Sequence, residues 1–133
     1  MYVGNMSNDE LVSTLLEKGL DAASERSKAI SDNIANINTA GYKRKYVTFE
    51  ESLKNSMYDL ELKTDNERHI KLGSDYGEIE TKTDNSGSMR QDGNNVDIDV
   101  EEVNQAANTL MYNALVSQAN SKLSMERYVI NEK

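Results

Sequence analysis

Apolar residues return along the first third of the chain at alternating steps of four and three. Leu16, Leu20, Ala23, Ser27, Ile30, Ile34 and Ile37 form one heptad seam in which Ser27 is the only polar member. Leu11, Val12 and Leu15 broaden its early part. The pattern predicts a helix that starts at Ser7, where Ser7-Asn8-Asp9-Glu10 fits a capping box and the two acids suit the positive end of the helix dipole. No Pro interrupts it, and Gly19 costs only about 1 kcal/mol against Ala. Roughly 34 residues at about 1.5 Å each make a rod of roughly 50 Å, too long to hide its seam against a small domain. It needs another long helix. Asn38-Thr39-Ala40-Gly41 is the expected stop, with Gly41 at the position where a left-handed residue ends a helix, and Lys43, Arg44 and Lys45 near the negative end of the dipole.

A second, shorter helix is expected over about residues 48–60. Thr48-Phe49-Glu50-Glu51 repeats the capping pattern, and Phe49, Leu53, Met57 and Leu60 follow at helical spacing. Beyond Leu62 the period fades. Ile70, Leu72 and Ile79 alternate with polar neighbours and suggest short strands, set among Ser, Asp, Asn and Gly turns, so residues 62–95 are expected to be mobile in the free protein. Order returns at Val96-Asp97-Ile98-Asp99-Val100, where Asp97 or Asp99 can cap a last helix. Its apolar face carries Val103, Ala107, Leu110 and Ala114, continued by Tyr112, Val116, Ala119, Leu123 and Ile130. The small residues Ala107, Ala114, Ala119 and Ser121 would let a neighbour approach closely.

The pattern thus implies a mainly α fold. Long N- and C-terminal helices form a coiled coil, within one chain or between chains, joined by a short helix and an acidic, partly disordered or weakly β middle segment. The expected organisation is residues 1–45 as N-terminal helix and stop, 46–95 as middle segment, and 96–133 as C-terminal helix.

Composition sharpens this. Only 37% of the 133 residues are apolar, with one Phe and no Trp, so a compact monomer would be marginal and stability drawn from neighbouring copies is expected. The net charge of −8 lies in the middle: residues 56–102 hold 5 basic and 13 acidic groups, while residues 1–55 and 103–133 are nearly neutral. Neutral ends can pack together and an acidic middle stays solvated, a balance that disfavours nucleic acid. The chain has no Cys, no apolar run of the roughly 20 residues that span a bilayer, and none of the features of a Sec signal peptide at its start. No direct membrane insertion is expected, and any export would use another route. His69 is the only His and reads as a surface residue. The carboxylates of 92–102 fail the calcium-loop pattern because Gly93 does not sit at its sixth position, and no nucleophile, phosphate or dinucleotide signature occurs. The expectation is no enzyme, no metal and no cofactor.

Both ends resemble the flagellar rod, hook and axial protein family. The carriers are Asn33-Ile34-Ala35-Asn36 followed by Asn38-Thr39-Ala40-Gly41-Tyr42-Lys43. The later stretch from Met89 to Ile130, MRQDGNNVDIDVEEVNQAANTLMYNALVSQANSKLSMERYVI, is narrower in its specificity and is similar to the C-terminal half of that family's proximal-rod subunits, as is TDNERHI in the middle. The chain departs from the family at Ala40, where Pro is usual, which leaves the helix stop to Gly41 alone.

The resemblance implies a structural subunit whose terminal helices pair and build a torque-transmitting tube on the cell-envelope side of the basal body. Implied partners are copies of itself, other rod and membrane-ring proteins, and the flagellar type III export apparatus. On this reading Leu16, Leu20, Ala23, Ile30, Asn33, Ile34, Asn36, Ile37, Gly41 and Tyr42 form the assembly interface with Ala107, Leu110, Ala114 and Leu123. Ile30, Ile34 and Ile37 would meet the C-terminal helix, and Asn33 and Asn36 would bond to adjacent subunits or to backbone at the helix end. The alternative is a soluble helical adaptor or chaperone-like protein that holds a partner helix on the same seam. Low helicity in isolation and concentration-dependent association would separate the first from the second.

Overall fold

The computed structural model describes residues 8–63, 77–88 and 90–131. Five elements follow in order: α1 (Asn8–Ala35), β1 (Lys45–Thr48), α2 (Glu50–Lys63), β2 (Glu80–Thr83) and α3 (Ile98–Asn131). The expected cap at Ser7, the residues Ile70 and Leu72, and His69 lie outside the described residues.

The two long helices form an antiparallel hairpin within one chain. The start of α1 meets the end of α3, where Lys122 pairs with Asp9 at 3.0 Å. At mid-length Gly19 lies against Leu115, and at the far end Asn33 bonds to Glu101. Small residues on α1 allow this closeness: Ala22, Ala23 and Ala29 are buried together with Ile30, while Leu16, Leu20 and Ile34 are half-buried. α3 starts where the sequence indicates. Asp97 caps it, its Oδ1 accepting from the backbone N–H groups of Asp99 and Val100.

α1 ends earlier than its seam suggests. The helix stops at Ala35, and the chain leaves it through tighter bonds, from Ile37 N–H to the Ile34 carbonyl and from Thr39 N–H to the Asn36 carbonyl. Ile37 therefore sits in a turn, outside the helical seam. Gly41 is not the helix stop either. It adopts φ +73° six residues further on, and its N–H donates to the Asp92 carbonyl at 2.7 Å. The cause is distant in sequence. Side chains of Arg90 and Asn94 take up the carbonyls of Asn36, Ile37 and Thr39 just beyond α1, so the chain can turn before any glycine is reached.

β1 and β2 pair antiparallel, with Lys45 opposite Thr83 and Thr48 opposite Glu80. β1 lies where the sequence showed only a basic run, and Thr48 belongs to it. Its hydroxyl donates to the Glu80 carbonyl, and α2 begins at Glu50 rather than from a Thr48 cap. The second strand follows Ile79 directly. From Gly77 the described part of the middle segment packs on the rest of the fold through β2 and the turn before α3. Its anchor is Phe49, which is buried with Val47 and Val96.

Gly77 packs on that anchor. It adopts φ +70°, and a Cβ there would lie 2.4 Å from Phe49 Cε2. Gly77→Ala combines a left-handed backbone with displacement of a buried ring, so a loss of about 2–4 kcal/mol is expected in urea unfolding. Gly87→Ala, whose Cβ would meet nothing within 4 Å, is the control and should change the midpoint little.

Candidate assembly surface and the polar clasp behind it

Asn33 stands in the last turn of α1 and is fully buried. Both of its polar atoms are used twice. Nδ2 donates to the Lys45 carbonyl at 2.8 Å and to Glu101 Oε2 at 3.0 Å. Oδ1 accepts from Lys45 N–H at 2.8 Å and from the Tyr42 hydroxyl at 3.2 Å. One amide thus ties α1 to β1, to the loop before it and to α3. Desolvation first, and then the charges of Asp32 and Glu101, push the Tyr42 phenol above its ordinary pKa, so it stays protonated and donates. Glu101 is also fully buried, and its other carboxylate oxygen accepts from Arg44 Nε. Arg44 lies 5.9 Å from the ring centre of Tyr46.

A second buried amide closes the loop. Asn94 Nδ2 reaches the carbonyls of Asn36, Ile37 and Thr39, each at 2.9 Å, and Asn94 Oδ1 accepts from Val96 N–H. Lys43 donates to the Gly93 carbonyl, and Arg44 N–H to Asn95 Oδ1. The turn after α1 and the turn before α3 are one interlocked unit.

α3 shows two different faces. Toward α1 runs a heptad line of Glu101, Gln105, Asn108, Tyr112, Leu115, Ala119, Lys122 and Glu126, mostly polar. Outward runs most of the apolar line read from the sequence, without Tyr112 and Ala119, which lie on the inward line. Val103 is 68% exposed and Leu110 72%, and Ala107, Ala114, Leu123 and Ile130 are exposed with them. The seam expected to meet the N-terminal helix therefore points away from it, and polar pairing holds the inverted arrangement. The outward face is also uncharged: no residue from 103 to 121 carries a formal charge. α1 differs, since its exposed positions include Asp9, Glu10, Glu17, Asp21 and Asp32. No described helix is long and apolar enough to cross a membrane.

The candidate residues divide accordingly. Ala23, Ile30 and Asn33 are buried within the chain, and Leu16, Leu20, Ile34 and Tyr42 are half-buried. Asn36 bonds to its own helix through the Asp32 carbonyl and accepts from the Thr39 hydroxyl. Asn33, expected to bond to adjacent subunits or to nearby backbone, spends all its capacity inside the chain. Gly41, Ala107, Leu110, Ala114 and Leu123 are open to a neighbour. Sequence reasoning missed Glu101, Asn94 and Asn108. Glu101 passed for a first-turn dipole acid and Asn94 for turn composition; the second heptad line on α3 is the signal that could have found Glu101 and Asn108, and no local signal marks Asn94.

The comparisons follow the same geometry. The family model described as flagella basal body rod protein matches residues 16–43, from the middle of α1 through Tyr42 of the clasp. Three proteins named flagellar basal body rod protein FlgB are similar along most of their length. That of Bacillus subtilis (strain 168) is 37% identical over 116 residues, covering 86% of this chain and 89% of its own. That of Borrelia hermsii is 34% identical over 112 residues, covering 77% and 83%. That of Proteus mirabilis (strain HI4320) is 29% identical over 126 residues, covering 87% and 90%. The chain belongs to the flagellar basal body rod protein FlgB family, structural subunits of the proximal rod.

Proposed function

We propose that the subunit joins the rod through the outward face of α3, with the α1–α3 hairpin acting as the unit that is stacked. The observation that carries this is the uncharged apolar line left open between Val103 and Ser121 on a chain of net charge −8. Copies can approach there without repulsion, whereas the acidic outer face of α1 favours water. A contact between two different faces, repeated with a rotation, produces an open helical tube rather than a closed ring. The neighbours on this reading are copies of the same chain, other rod proteins and membrane-ring proteins on the cell-envelope side, and the subunit arrives through the flagellar type III export apparatus.

Of the two observations that separate the rod from the adaptor, helicity loses its force and concentration-dependent association keeps it. Low helicity in isolation was expected for helices that pair only between subunits, but these helices pair within the chain. A helical free subunit is therefore compatible with the rod.

Leu110→Asp tests the proposal. Leu110 makes no buried contact in the hairpin, so helicity and urea midpoint should hold. Placing a carboxylate in the packed tube should lower recovery of the subunit in purified basal bodies at least about tenfold, the equivalent of about 1.4 kcal/mol per contact. Normal recovery would remove the outward face of α3 from the assembly.

A further inference from the structure

We propose that the polar line on the inward face of α3 is a register code that admits α1 to this face in one alignment only. The inference deepens the assembly reading, because it says what keeps one face of α3 closed while the other stays available to neighbours.

The rungs are spaced along the whole hairpin. Glu101 pairs with Asn33 at 3.0 Å, Gln105 Nε2 donates to Ser27 Oγ at 3.1 Å, and Asn108 Nδ2 donates to the Ala23 carbonyl at 2.8 Å. Lys122 closes the open end, reaching Asp9 and Ser13. Between Asn108 and Lys122 the contact changes character. Leu115 sits on Gly19, where an added Cβ would lie 3.2 Å from Leu115 Cδ1, so only a residue without a side chain fits comfortably beneath it.

Neither neighbouring heptad alignment preserves this. Sliding α3 so that Asn108 replaces Glu101 takes the carboxylate from Arg44 and brings Lys122 over Gly19, where its ammonium has no anion. Sliding the other way takes Glu101 from Asn33 and Arg44 and leaves the Ala23 carbonyl without its donor, with only Arg26, already paired with Glu50, in exchange. The apolar contacts would tolerate either slip. The polar rungs do not, which is how isolated polar residues in a coiled-coil seam fix register at a cost in stability. That cost is visible at Gln105, whose Oε1 is buried without a partner among the described residues. A helix from another subunit that lacks these rungs in this order is refused in the same way.

The chain has no Cys, so spin labels can be placed on Asp21→Cys in α1 and Gln118→Cys in α3, both at exposed positions. Electron double resonance on the dilute full-length protein should give one distance. Adding Gln105→Leu and Asn108→Leu makes the Asn108 end of the seam apolar. A second distance, from a helix slid along its axis by about 10 Å for one heptad, is the expected result. Asn108→Ala, which removes one rung without adding apolar surface, should give the same second population at lower occupancy, and it decides the matter if the double variant does not fold. A single unchanged distance in the folded variants would overturn the proposal. Because the measurement is made on free chains, that result would leave the assembly reading intact, and Leu110→Asp tests that reading separately.

Discussion

Asn94→Ala is expected to loosen the C-terminal end of α1 and to remove about 3–5 kcal/mol of stability. The side chain is fully buried and serves three carbonyls and one N–H at once. The Val96 N–H loses its acceptor, which costs about 1–3 kcal/mol, and each of the three carbonyls, which keeps Thr39 N–H, Arg90 or Tyr42 N–H as its other donor, loses one bond worth about 0.5–1.5 kcal/mol. A domain of this kind is stable by about 5–15 kcal/mol in total, so the variant should sit near its unfolding midpoint under mild conditions. Urea unfolding followed by circular dichroism gives the magnitude. Hydrogen exchange gives the location, with protection lost first at Thr39, Gly41 and Tyr42. Asn94→Asp should be no milder, since a carboxylate would face three carbonyl oxygens without a proton to share. A loss below about 1 kcal/mol for Asn94→Ala would mean that solvent replaces the amide, and that the end of α1 is set by its own residues.

How much of this was legible depends on the range of the interaction. The seam of α1, the Asp97 cap and the presence of α2 follow from neighbours within a few residues, and all three could be read. The end of α1 could not. Ile37 keeps perfect heptad spacing, yet the helix has already stopped at Ala35, because Arg90 and Asn94 hold the carbonyls of the turn that follows it. β1 was hidden for a similar reason. A four-residue Lys-Tyr-Val-Thr strand carries little period of its own, and it is fixed by β2 and by both polar ends of the Asn33 amide.

α3 gives the sharper lesson. Periodicity correctly locates its apolar face at Val103, Ala107, Leu110 and Ala114, but a period cannot say what that face meets. The usual assumption turns it inward. Here Asn33, Ser27 and the Ala23 carbonyl supply polar partners on the other side, 68 to 85 residues away in sequence, and the helix is rolled so that the apolar line remains outside. In the resemblance, Asn33 and Tyr42 were legible as motif letters. Their physical role, a buried amide served by a phenol, was legible only once Glu101 was beside them.

The same cluster yields the second large effect. Glu101→Ala should cost about 3 kcal/mol, because it strands the Arg44 guanidinium and one proton of the Asn33 amide. Removing one member of a buried ion pair costs about 3–5 kcal/mol, and the partial exposure of Arg44, 26% of its side chain, places the value at the lower end. Glu101→Gln should rescue little. Both partners of the carboxylate are donors, so either orientation of the Gln amide turns an N–H₂ group toward Asn33 or Arg44. Removing the opposite charge is the informative rescue. Arg44→Met combined with Glu101→Leu leaves no unpaired ion, and the double variant should be more stable than Glu101→Ala by at least about 1 kcal/mol. Urea midpoints for the two single variants and the double variant close the cycle. A double variant that loses the plain sum of the single losses would show that Arg44 is already solvated in the folded chain. The joint between α1, β1 and α3 would then rest on the Asn33 amide and its bonds to Lys45, Tyr42 and Glu101.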